Sequence, residues 1–192
     1  MKPQVIATPD PRLREISEKV HEIDDETRET IAQLRAACTE WEAEHPHELS
    51  AAIAAPQLGV NKRIILVRED FENKENSSYM ALINPEVIKT EGRTVRDYEG
   101  CLSVPEIYGL VPRPFKARIK ATLEDGHEVR VKADGFLART LLHEIDHLDG
   151  ILFIDHIKNS RKAFFRMNDK GDLDPIDYDK EIKGNKDLWP DD

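Results

Sequence analysis

LLHEIDHLDG, residues 141–150, places two histidines four positions apart with a glutamate beside the first. Apolar residues recur at helical spacing through FLARTLLHEIDHL, from just after Gly135 to near Gly150, so one helix is expected there. Positions i and i+4 share a helix face, and His143 and His147 can therefore direct both imidazoles at one metal ion. Glu144 neighbours the first histidine, where a general base or acid beside metal-bound water belongs. HEIDH matches HExxH in full. The competing reading is a structural histidine pair inside a core helix.

Two histidines leave a catalytic site incomplete, since such sites carry a third protein ligand and an exchangeable position. His156 and the aspartates of the C-terminal segment are candidates. Cys101 is a better one. EGCLSVP (99–105) puts it in a glycine-containing turn between expected sheet elements, where a thiolate and backbone N–H groups can be presented together. A lone cysteine is also commonly a buried, inert core residue.

Outward from these runs, 192 residues with 39% hydrophobic content are enough for one domain with a sizeable core. No apolar run approaches 18 residues and MKPQVIATPDPRLREI lacks the apolar stretch of a secretory signal, so a soluble, cytoplasmic protein without membrane contact is expected. Two cysteines are too few for a disulfide framework. With 38 acidic against 28 basic side chains, the net charge of −10 argues against DNA or broad nucleic-acid binding. Lys158, Arg161, Lys162 and Arg166 could still form one basic stripe if they lie on a helix, though a solvated face is the plainer reading.

Pro9 and Pro11 give residues 6–24 the look of an irregular arm. Asp24 or Asp25 is expected to cap a helix through about Ala43, whose stripe of Ile31, Leu34, Cys38 and Trp41 makes Cys38 a core residue. EHPHELS (44–50) interrupts that pattern. RIILV (63–67) and MALINP (80–85) read as strands, the second closed by its proline, with the polar loop DFENKENSSY between them. ARIKATL and VRVKA flank EDGHE as an antiparallel hairpin turning near Asp125-Gly126. From Asp169 onward nine acidic and four basic residues accompany few apolar anchors. The chain is therefore divided into a catalytic domain, 1–168, and a loosely attached acidic extension, 169–192, with Leu188 and Trp189 as docking residues.

EGCLSVP and HEIDH, with AAIAAPQLG (51–59) upstream, together resemble the peptide deformylases over roughly Val5 to Lys158. The resemblance implies a compact α+β domain with antiparallel strands around a central HExxH helix. It implies a metal-dependent hydrolase in which metal-bound water removes the formyl group from the N-terminal methionine of new polypeptides. Cys101, His143 and His147 are then the metal ligands. The implied metal is Fe2+, with Zn2+, Ni2+ or Co2+ able to substitute. Glu144 becomes the proton carrier, and the Gln57 amide and Leu102 N–H the oxyanion donors. Nascent N-formylmethionyl peptides are the implied substrate, and a transient ribosome contact follows from where such peptides emerge.

Three departures bear on the substrate cleft. Ser50 and Ala52 stand where the related motif has glycine, Leu142 stands where it has glutamine, and Arg139 and Thr140 stand where apolar or small residues meet the methionine side chain. The expected substrate-contacting residues are Ala52, Ile53, Gly100, Arg139 and Thr140, with Val104 and Leu137 as further apolar lining. A buried Arg139 needs a paired anion; otherwise its stem reaches out of the pocket, or the pocket takes a polar or acidic first residue. These departures also keep open a related amidase or peptidase with another substrate, or a metal-binding homologue without turnover. Asp146 lies off the ligand face, with Arg113 of LVPRP as its expected mate.

Overall fold

A computed structural model describes residues 4–45, 49–73 and 76–190, so residues 46–48 of the EHPHELS break and 74–75 of the polar loop lie outside it. Seven strands and two α-helices are present among the described residues. The strands are β1 (Ala52–Ala54), β2 (Ile64–Arg68), β3 (Tyr79–Cys101), β4 (Val104–Thr122), β5 (Glu128–Asp134), β6 (Phe164–Met167) and β7 (Leu173–Pro175). They form one sheet in the order β1-β2-β3-β4-β6-β7, with β5 on β4, and each named pair is antiparallel.

The helices take opposite faces of one end of this sheet. α1 (Asp25–Glu44) starts where the Asp24 carboxylate accepts the Thr27 N–H at 2.8 Å, an N-cap that satisfies one of the free donors of the first turn. Its buried stripe, Ile31, Leu34, Ala37 and Cys38, meets Ile53, Ile64, Leu66 and Ile83. α2 (Gly135–Leu148) covers the other face, where Leu141, Ile145 and Leu148 meet Ile65, Val67, Leu82 and Ile119. RIILV is apolar throughout because alternate residues of β2 serve two cores.

MALINP opens a 23-residue strand rather than ending at its proline. Asn84 takes φ +50° and the register with β4 shifts between Ile83 and Glu86, so Pro85 sits in a bulge where no ladder N–H is required. β3 and β4 make one long hairpin closed by the two-residue turn Leu102-Ser103. The second hairpin turns as expected, with Gly126 at φ +87°.

The C-terminal segment is anchored, contrary to the loose attachment expected from its charge. β7 pairs with β6, and Ile176, Ile182, Leu188 and Trp189 are buried against Val111, Phe153, Ile157 and Phe164. Four apolar side chains suffice because they are spaced to reach one cluster, while the acidic residues between them stay in solvent. The Trp189 indole donates to Asp155 Oδ1 at 2.8 Å, and Arg14 joins Asp155 Oδ2 (2.5 Å) to the Leu188 carbonyl (2.9 Å).

The basic stripe does not lie on a helix either. Lys158, Arg161 and Lys162 fall in turns and Arg166 in β6, because a 3-10 helix (Phe153–Ile157) ends just before them. Arg161 pairs with Asp179 and Arg166 with Glu181, both from the acidic segment. No described helix is long and apolar enough to cross a membrane.

Trp189→Ala is expected to destabilise the fold by about 3 kcal/mol, the usual cost of removing a buried aromatic. An unchanged urea midpoint would restore the loosely attached tail.

Candidate metal centre

α2 carries His143 and His147 on one face as the four-residue spacing requires, with ring centroids 5.0 Å apart. The tip of the β3–β4 hairpin brings Cys101 over them, placing Sγ 3.2 Å from His147 Nε2. One potential ligand atom from each of Cys101, His143 and His147 lies within 4.8 Å of the other two. In a tetrahedral site with ordinary metal–sulfur and metal–nitrogen bonds, sulfur and nitrogen are roughly 3.5 Å apart. The separations found are compatible with that. One thiolate and two imidazoles also suit Fe2+, Zn2+ and neighbouring divalent ions alike.

Glu99 orients this centre, and sequence reasoning missed it. Its Oε2 accepts from His143 Nδ1 at 2.9 Å, which turns the ring's Nε2 toward Cys101 and His147. The same carboxylate accepts from Arg113 Nε (2.6 Å) and Nη2 (2.9 Å) and from Arg139 Nη1 (2.6 Å). Burial opposes its ionisation, but the bonds from His143 and Arg113 outweigh burial and hold the carboxyl well below the usual range. A signal was available: Glu99 stands two residues before Cys101, on the same face of a strand. Arg113 Nη1 also reaches Asp146 Oδ2 at 2.7 Å, the pairing expected from sequence.

Arg139 does not reach out of the cleft. It is 7% exposed, and besides Glu99 its guanidinium donates to the carbonyls of Val111 (2.9 Å) and Val95 (2.8 Å). Glu99 is the paired anion that its burial demands, and the case for a polar or acidic first residue loses its basis. Ile53 is also corrected. Strand alternation turns it away from the cleft into the α1 core, where it is fully buried. Leu137 packs against the α2 core, and Leu142, at the position where the related motif has glutamine, is part of that core.

A cleft of about 540 Å³ opens beside the histidines, within the usual range for small-ligand sites. Ala52, Gln57, Gly100, Leu102, Arg139 and Thr140 are among the residues that line it. Gly100 has no room for a side chain, since a Cβ there would stand 2.7 Å from the Tyr108 ring. The Gln57 amide is fixed in orientation: its Oε1 accepts from Ala54 N–H (2.9 Å), leaving Nε2 to face Cys101 Sγ (3.5 Å) and Ser103 Oγ (3.2 Å). Ser103, fully buried, is a second residue that sequence reasoning missed.

Glu144 lines the same cleft, 5% exposed, with Oε2 buried and without a hydrogen-bond partner. Burial pushes its carboxyl up to about 7, against the opposing pull of His143 and Arg113. A carboxyl so placed is able both to accept and to return a proton near neutrality.

Comparison with known proteins agrees with this geometry. The family model described as polypeptide deformylase matches residues 2–163. A peptide deformylase of Thermomicrobium roseum is 42% identical over 158 residues, 81% of this chain and 85% of that protein. One from Halothermothrix orenii is 45% identical over 148 residues, covering 77% and 88%. Among solved structures, a peptide deformylase from Synechococcus elongatus in complex with actinonin superposes with a TM-score of 0.70 at 37% identity, covering 81% of this chain and 79% of that one. The family match stops short of β6 and the anchored C-terminal segment.

Glu99→Gln is expected to weaken metal binding about 10- to 100-fold in chelator competition, because it loosens His143. It should also lower stability by about 3 kcal/mol or more, since Arg113 and Arg139 keep buried charges with a poorer partner. Undiminished metal affinity would mean that Glu99 does not set the His143 orientation.

Proposed function

The chain belongs to the peptide deformylase family, and from that premise we propose how the residues of its cleft divide the work. It is a metal-dependent hydrolase acting on the N-terminal formyl group of newly made polypeptides. The observation that carries this reading is the convergence of Cys101, His143 and His147 beside the unpartnered Glu144 carboxylate. Cys101 Sγ and one nitrogen from each histidine would hold the metal. Bound there, it supplies an activated water and polarises the formyl oxygen.

Glu144 takes the proton released as the formyl carbon is attacked and delivers one to the departing amine. Its raised affinity for a proton supports both roles. As charge grows on the formyl oxygen, Gln57 Nε2 and the Leu102 N–H donate to it. The lock on Gln57 Oε1 supports that assignment, because the amide need not turn during the reaction. Ala52, Gly100 and Thr140 stand where the first residues of the substrate would lie. Buried Arg139 acts through Glu99.

We assign Fe2+ as the working metal, with Zn2+, Ni2+ or Co2+ as substitutes, on the family membership alone, since a thiolate joined to two imidazoles suits all of these ions. A thiolate-bound Fe2+ site should lose activity in air. On the same reading the protein works in the cytoplasm, with nascent N-formylmethionyl peptides as its partners. A transient ribosome contact through the Lys158–Arg166 segment would have to displace Asp179 and Glu181 from Arg161 and Arg166. It should therefore be weak at physiological salt.

The Fe2+-loaded protein is expected to release formate from formyl-Met-Ala-Ser under anaerobic conditions, and Glu144→Ala to abolish that release. Gln57→Ala should lower kcat about 100- to 1000-fold, the loss seen when one oxyanion donor is removed. No formate from fully metal-loaded protein would overturn the activity, and a near-normal Gln57→Ala would remove that residue from the mechanism.

A further inference from the structure

We propose that Glu42, Arg68 and Tyr79 are positioning residues for substrate, forming a partly buried hydrogen-bonded hub around the buried Arg68 that fixes the Ser50–Ala52 wall of the cleft. The proposal rests on the deformylase reading and adds to it a group of residues that does not touch the metal centre.

Ser50, Ala51 and Ala52 all line the cleft, yet strand pairing reaches only the last of them, where Ala52 meets Val67. Ser50 is held by side chains instead. Its N–H donates to Glu42 Oε1 at 3.0 Å, and its carbonyl lies 3.1 Å from Tyr79 Oη. The Ala51 carbonyl accepts from the Arg68 N–H at 2.9 Å. Both main-chain groups of Ser50 thus depend on two side chains that belong to different elements, Glu42 to α1 and Tyr79 to β3.

Arg68 makes this arrangement rigid. Its side chain is wholly buried, and Nη1 donates to Glu42 Oε1 (2.6 Å) and to Tyr79 Oη (3.1 Å), while Nε donates to the Asp70 carbonyl (3.1 Å). A buried guanidinium leaves Glu42 little freedom to turn away, because the separation of the two charges is heavily penalised there. Burial also holds the Tyr79 hydroxyl well above its usual range, so it stays neutral, with its one hydrogen shared between the Ser50 carbonyl and Glu42 Oε1, both at 3.1 Å. Neither Glu42, Arg68 nor Tyr79 lines the cleft. Beside Glu42, the end of α1 carries Trp41 and His45, stacked at 4.5 Å, into the same wall. One cluster therefore sets the helix end and the strand edge together. With side chains at 50 and 52 in place of the glycines of the related motif, the wall has fewer backbone alternatives, and the hub selects among them.

Steady-state kinetics on the full-length, metal-loaded protein test this, using formyl-Met-Ala-Ser and the variants Tyr79→Phe and Glu42→Gln, with Ile31→Val as a destabilised control on the same helix. Tyr79→Phe removes only a hydroxyl and keeps the Arg68–Glu42 pair, so it remains informative if Glu42→Gln fails to fold. The expected result for Tyr79→Phe is a KM raised roughly three- to tenfold, as for loss of the hydrogen bond that holds the Ser50 carbonyl, with kcat within about twofold of the parent. The visible absorption of the Co2+-substituted protein should be unchanged, and Ile31→Val should keep the parental KM. An unchanged KM in Tyr79→Phe overturns the proposal alone, as does a fall in kcat with an altered Co2+ spectrum, which would place the hub's effect at the metal. Absence of turnover in the parent overturns the functional reading and this proposal with it.

Discussion

The carboxylate of Glu99 is the point on which the rest of this structure depends. It accepts four hydrogen bonds, two from Arg113 of β4 and one each from Arg139 and His143 of α2. Glu99 itself lies on β3, so one side chain fixes the position of the helix against both strands of the long hairpin. Two guanidiniums and a carboxylate taken from water are costly, and apolar side chains of similar size would hold a helix on a sheet at least as firmly. Apolar packing tolerates sliding, however, whereas four directed bonds allow one register. That register places His143 Nε2 and Cys101 Sγ at a common point.

The metal centre was more legible in the sequence than the fold around it. HEIDH announces itself because helix geometry converts a spacing of four into a shared face, and no longer-range information is needed. Cys101 was only one candidate until EGCLSVP was read alongside AAIAAPQLG, since a third ligand comes from elsewhere in the chain and spacing alone cannot bring it in. Ser103 was invisible for the same reason, and Glu99, though two residues from Cys101, gave no sign of its partner. Each acts through a partner more than 40 positions away. For Arg139 a paired anion was the stated condition of burial, and that anion, Glu99, could not be named from sequence because it lies on another element.

Errors in the fold share a cause as well. Pro85 was taken to end a strand because its missing N–H breaks a ladder, but one residue of positive φ before it lets the strand continue. The C-terminal segment was read as loose from its average charge, although Leu188 and Trp189 were named as docking residues; its attachment rests on those two with Ile176 and Ile182, and on the pairing of β7 with β6. Composition averages over a segment; docking depends on whether a few residues converge. The same acidic residues that suggested a solvated tail serve as partners for Arg161 and Arg166.

Glu99 and Glu144 are two buried carboxyls on either side of His143, and the protein treats them in opposite ways. Glu99 is given every hydrogen bond it can use and is held charged; Glu144 keeps one oxygen unpaired and is pushed toward the neutral form. A fold selected only for stability would pair both or bury neither, since an unmatched carboxyl costs free energy. Divergent environments for neighbouring acids divide their roles: the one held ionised can orient a ligand, and the one poised near neutrality can move a proton. Glu144 lines the cleft that Cys101, Gln57 and Leu102 also line, so the cost of leaving its carboxyl poorly matched falls beside the place where a reacting group would lie.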